Sequence, residues 1–95
     1  MNKFSDEQLE LVKGYAYDLL SWKDIAYLLE IPLPDFRLEF ENPRSKLLIA
    51  YQSGRIKRKH ELRKPILSMA AKGSPQAEIL AVKFLEEQLF DESND

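Results

Sequence analysis

Six cations, Arg55, Lys57, Arg58, Lys59, Arg63 and Lys64, fall within ten residues, with Glu61 the one acid among them. On a helix, that many like charges within two to three turns repel one another, and the helix gains stability when something negative approaches. A phosphate backbone answers that description, and contacts of this kind give an affinity that falls steeply with salt. Two blander readings of the run stay open. It could be a solvated face, or a face neutralised by acidic segments of a neighbouring subunit.

Other residues with chemical potential are less organised. His60 stands among cations with no second ligand in reach, so no metal site is expected. Asp18 with Asp24, or Glu86 with Glu87, could pair as carboxylates, but nothing else arranges them for acid–base work and they read as solvated surface. The chain has no cysteine, which excludes disulfides and thiolate metal sites. No phosphate-binding glycine loop or nucleophile motif is present. Tyr15, Tyr17, Trp22, Tyr27 and Tyr51 could stack on bases, yet aromatics at helical spacing read first as core or interface. The expectation is a binding protein rather than an enzyme, with no cofactor.

The net charge of −2 conceals how charge is distributed. Residues 1–42 hold four Lys/Arg against nine Asp/Glu, a balance of −5. Residues 43–72 hold nine against one, a balance of +8, and residues 73–95 hold one against six, again −5. A basic block between two acidic ones says more about partners than the global pI does. Ninety-five residues suit one domain with one core. No apolar run approaches the roughly 20 residues needed to cross a bilayer, and the amphipathic N-terminus has no apolar signal core. A cytoplasmic protein of a bacterial host cell, with no membrane partner, is expected.

The elements that must position these residues are all helical. Ser5 and Gln8 have capping-box spacing, flanked by Phe4 and Leu9 as a hydrophobic staple. Asp6 and Glu7 suit the first turn, and Leu9, Val12, Ala16, Leu19 and Leu20 form an apolar stripe with Tyr15 beside it, predicting a helix to about Leu20. Ser21 caps a second helix over 22–29 with Ile25, Ala26, Leu28 and Leu29 inward. Pro32 and Pro34 stop it, and a third helix fits 34–41 with Phe36 and Phe40 on one face. Asn42 and Pro43 look like the cap and first position of a fourth helix reaching Lys72. Its apolar seam is Leu48, Tyr51, Leu62, Ile66 and Met69, and Gly54 and Pro65 weaken it, with a kink rather than a break expected near 61–65. Gly73, Ser74 and Pro75 end that helix and start a fifth over 75–90. Ala77, Leu80, Ala81, Phe84, Leu85 and Leu89 form its inner face, and so short a connection folds it back antiparallel.

Residues 21–40 carry a helix-turn-helix pattern. Asp24-Ile25-Ala26-Tyr27-Leu28-Leu29-Glu30-Ile31 resembles the first helix and turn of that motif, with Ala26 small enough for a close crossing. Glu30 takes the place usually held by glycine, and the second helix would expose Asp35, Glu39 and Glu41 against only Arg37. Phosphates would be repelled by that face. Arg37 is therefore the weaker candidate, for a base contact.

Ala50-Tyr51-Gln52-Ser53-Gly54-Arg55 with Glu61-Leu62-Arg63, and Ala70-Ala71-Lys72-Gly73-Ser74-Pro75-Gln76-Ala77, together with the order of parts, resemble the small terminase subunits of tailed phages and their prophage relatives. The resemblance covers most of residues 20–88. It implies a non-catalytic DNA-recognition subunit that forms rings and delivers phage DNA to a large packaging ATPase.

The expectation is thus an all-α fold forming one compact unit. A three-helix helix-turn-helix head (1–42) precedes a helical hairpin of a long basic helix and a returning helix (43–90), and a frayed acidic tail (91–95) ends it. Double-stranded DNA is the expected partner, contacted by Arg55, Lys57, Arg58, Lys59, Arg63, Lys64 and, more weakly, Arg37. A homo-oligomer is expected too, because the half-apolar hairpin buries its seam best against copies of itself. The alternatives are a protein–protein adaptor that sets the basic helix on an acidic partner, and a dimeric helix-turn-helix transcription regulator.

Overall fold

A computed structural model describes residues 4–93, and these are all-helical: α1 (Asp6–Tyr17), α2 (Trp22–Leu28), α3 (Leu33–Phe40), α4 (Lys46–Ala71) and α5 (Pro75–Ser93). None of them is long and apolar enough to cross a membrane. The chain divides into two compact units, one up to Lys59 and one from His60 onward. That division falls inside α4. The reason lies in the first half of α4. Leu47, Ala50 and Tyr51 are buried in one core with Phe4, Val12, Ala16, Ile25, Ala26 and Phe36. The three-helix head lacks the apolar surface to close a core alone and takes a fourth wall from α4.

The ends of the head helices follow their local chemistry. Ser5 Oγ accepts from the Gln8 amide at 3.1 Å while Gln8 Oε1 accepts from the Ser5 amide at 2.9 Å, completing the capping box. Ser21 Oγ accepts from the Asp24 amide at 3.2 Å and caps α2. Helix α1 stops at Tyr17, three residues before the expected Leu20. Leu19 there turns to φ 67°, and Leu20 N–H donates to Tyr15 O at 3.1 Å. The α2–α3 turn repeats the device with Glu30 at φ 56° and Ile31 N–H donating to Ala26 O at 3.0 Å. These are the wrapped C-terminal bonds that glycine usually enables. Leu19, expected inward, is exposed in the turn, and Leu28, also expected inward, is exposed within α2.

Helix α4 begins three residues later than expected. Asn42 Oδ1 accepts from the Arg44 amide at 3.0 Å and makes a local turn. Ser45, itself buried, is the cap, its Oγ accepting from the Leu48 amide at 3.0 Å. The buried register is Leu47, Ala50, Tyr51 and Gly54, so Leu47 rather than Leu48 carries the seam. Leu62 and Met69, also assigned to that seam, are exposed.

Rings run through the head core in a chain. Phe4 meets Phe36 edge-on at 5.8 Å, Phe36 stacks on Trp22 at 6.0 Å and on Phe40 at 6.2 Å, Trp22 stacks on Phe40 at 5.5 Å, and Phe40 meets Tyr51 edge-on at 5.0 Å. Ring pairs at these separations add about 0.5–1.5 kcal/mol each beyond the area they bury. Trp22 and Tyr51 are thereby committed to the interior rather than to stacking on bases.

In the second unit α4 runs unbroken through Pro65 to Ala71. Gly73 at φ 91° closes it, and Ser74 Oγ accepts from the Ala77 amide at 3.4 Å to start α5. Contacts between Arg63 and both Phe84 and Glu87 bring α5 back alongside the end of α4. Helix α5 extends past Phe90 to Ser93, whose hydroxyl donates to Leu89 O at 2.8 Å. The tail expected to fray is helical at 91–93, and Asn94 and Asp95 lie outside the described residues.

Candidate nucleic-acid interface

The six cations of α4 do not form one surface, because helical geometry sends them in different directions. Arg58 follows Gly54 by one turn and continues the core-facing line. Its guanidinium lies over the Tyr17 ring, 4.9 Å from the centroid. Its Nε is buried with no hydrogen-bond partner among the described residues. The cation and the ring face attract each other, and the side chain closes the end of the head core.

Arg55 lies on a different side of the helix, exposed, with its guanidinium 5.5 Å from the Tyr51 centroid and Nη1 donating to Gln52 Oε1 at 3.4 Å. That long bond constrains it weakly. Lys57 is exposed, and Lys59 is half-buried. All four belong to the first unit.

In the second unit Arg63 is absorbed into the hairpin. Nη2 donates to Glu87 Oε2 at 3.0 Å, and the guanidinium sits 4.1 Å over the Phe84 ring. Its side chain is 23% exposed, which marks a packed residue rather than a free contact for a ligand. Lys64 is exposed. Sequence spacing brings the six together as a run. The structure keeps Arg55, Lys57 and Lys64 on the surface and gives Arg58 and Arg63 packing roles.

Helix α3 offers little to a nucleic acid. Arg37 forms an ion pair with Glu41 one turn on, both groups exposed. Asp35 and Leu38 are exposed as well. The face is neutral to acidic, and its one guanidinium already has a carboxylate.

The face of α4 that turns away from the head core holds a shallow groove of about 550 Å³, lined by Leu48, Ile49 and Ile56 with Lys57 beside them. Ile49 and Ile56 are 57% and 56% exposed. Two isoleucines seven residues apart are the signal that could have revealed it, since that spacing repeats one side of a helix.

No family model matches the chain, and no curated protein or solved structure matches it significantly.

Proposed function

We propose that this chain is a non-enzymatic, self-assembling protein that binds double-stranded DNA through phosphate contacts from α4. One observation carries the reading: Arg55, Lys57 and Lys59 stand within five residues of one helix, in a stretch (43–60) with six cations and no carboxylate. Such a segment attracts polyanions and discriminates poorly among sequences. Lys64 of the second unit is a further exposed cation.

A helix-turn-helix arrangement of α1–α3 fits this reading. Glu30 adopts the left-handed conformation that the turn of the motif requires, and Ala26, Ile25 and Phe36 are fully buried at the crossing. The motif serves here as a scaffold that holds α4, because α3 presents Asp35, Leu38 and a carboxylate-paired Arg37. With the resemblance described above, the role is that of a terminase small-subunit-like DNA-recognition component in a phage-bearing bacterial cell. A large packaging ATPase would be its motor partner.

The test is the purified protein's own absorbance. Copurified nucleic acid raises the 260/280 nm ratio, and a high-salt wash lowers it to that of bare protein. A ratio of bare protein at low salt, with no capture of added duplex, moves the weight to the adaptor reading, in which the same cations meet an acidic protein.

A further inference from the structure

Helix α5 is apolar on two sides. Ala77, the one buried residue of the second unit among the described residues, shares the inner side with Phe84, which lies under Arg63. On the other side Ile79, Val82, Leu85 and Leu89 follow at three- and four-residue steps, 60%, 54%, 53% and 55% exposed. A helix with a second apolar stripe needs a second cover. The need is sharper in a unit of fewer than about 40 residues, which seldom holds its fold without outside help.

Charge indicates what that cover is. Over residues 84–93 the chain has four carboxylates, Glu86, Glu87, Asp91 and Glu92, and no cation. Glu87 is held by Arg63 within the hairpin, and two α5 outer faces stacked on each other would bring Glu86 of both copies together with no cation in that stretch to offset it, so symmetric pairing is opposed. The α4 groove has the opposite character: Leu48, Ile49 and Ile56 form an apolar floor beside Lys57, in the stretch free of carboxylates.

We infer that the outer face of α5 in one copy docks in the α4 groove of the next, with Glu86 opposite Lys57. This rests on the self-assembly part of the reading above and names the surfaces that carry it. The two surfaces differ, so the contact is heterologous and propagates into a ring if the rotation closes and a filament if it does not.

Two full-length variants test it: Ile56→Asp, which spoils the groove, and Val82→Asp, which spoils the α5 face. Both side chains are more than half exposed, and circular dichroism confirms that each variant is folded. In sedimentation equilibrium the wild type assembles beyond a dimer and each variant alone is a monomer. Mixed, they form a one-to-one heterodimer, because the first keeps its α5 face and the second keeps its groove. In a second arm, Lys57→Glu and Glu86→Lys each weaken assembly at least tenfold, and the double variant recovers it. A monomeric wild type at its highest soluble concentration overturns the inference, as does self-association of Ile56→Asp alone or a mixture that stays monomeric. Val82→Asp lies on α5 and leaves Arg55, Lys57 and Lys59 unaltered, so its DNA binding is the readout of the functional reading. A wild type that binds DNA but stays monomeric defeats this inference alone, and a wild type that assembles but binds no DNA defeats the DNA-binding reading alone.

Discussion

Gly54 is where α4 comes closest to α1, and replacing it with alanine should destabilise the protein although alanine is the better helix former. A Cβ at Gly54 would lie 2.2 Å from the Lys13 carbonyl oxygen and 3.0 Å from both the Ala16 Cβ and the Tyr17 amide nitrogen. The first of these is backbone, so a rotamer change cannot relieve it and the helices must separate by about 1 Å to restore ordinary contact distances. Separation loosens the contacts around Val12, Ala16, Leu47 and Tyr51, which share that core. Overpacking of this kind costs about 1–3 kcal/mol, more where backbone must move, and alanine's helix propensity returns about 1 kcal/mol. Because the clash is with backbone, the upper end of about 3 kcal/mol applies, and a net loss of about 2 kcal/mol is expected for Gly54→Ala. Gly14 is the control, since a Cβ there meets nothing within 4 Å. Gly14→Ala should gain up to about 1 kcal/mol. With a urea m-value of about 1–1.5 kcal/mol/M for a chain of this size, the two midpoints should move in opposite directions, Gly54→Ala by more than 1 M downward. A Gly54→Ala midpoint equal to or above wild type would refute the close crossing, and with it the placement of Arg58 over Tyr17.

Three further predictions concern single sites. Leu19 and Glu30 sit at positive φ, where a Cβ costs about 1–2 kcal/mol and glycine's extra chain entropy about 0.5–1. Leu19→Gly or Glu30→Gly should therefore raise stability by roughly 0.5–1 kcal/mol in urea melts, and a loss at both sites would contradict the turn geometry. Ser45→Ala should cost about 1 kcal/mol through the lost α4 cap, whereas Asn42→Ala costs a few tenths; the reverse order would put the helix start at Asn42. Arg58→Ala should lower the thermal midpoint, because it uncovers Tyr17, whereas Lys57→Ala leaves it unchanged. Equal effects would remove the distinction between packed and free cations.

The helix count and most helix starts were legible in the sequence because caps are local: Ser5, Ser21 and Ser74 act on amides three residues away. What the sequence hid depends on distance. Asn42 and Ser45 are both good caps, and only the burial of Leu47 and Ala50 in a core built by α1–α3 selects the later start. Leu19 fits an apolar stripe, but the left-handed turn there ends α1 early and leaves it outside, and Leu28 is exposed although it is still helical. Leu85 and Leu89 fit the inner stripe of α5 in sequence yet are exposed, because a helical stripe defines a side without saying which neighbour it meets. The candidate site shows the same limit. Counting cations along the chain finds the basic segment, but only three-dimensional packing shows that Arg58 is spent on Tyr17 and Arg63 on Phe84 and Glu87.

Whether cations of α4 hold DNA phosphates is decided by fluorescence anisotropy of a labelled, mixed-sequence duplex titrated at several salt concentrations. Each neutralised phosphate contributes about −0.9 to the slope of log affinity against log salt, so contacts from Arg55 and Lys59, with Lys57 where no neighbouring Glu86 holds it, predict a slope near −3. Arg55→Ala with Lys59→Ala should bring it close to −1 while the protein stays folded. A wild-type slope near zero, or one the double variant leaves unchanged, would contradict the claim.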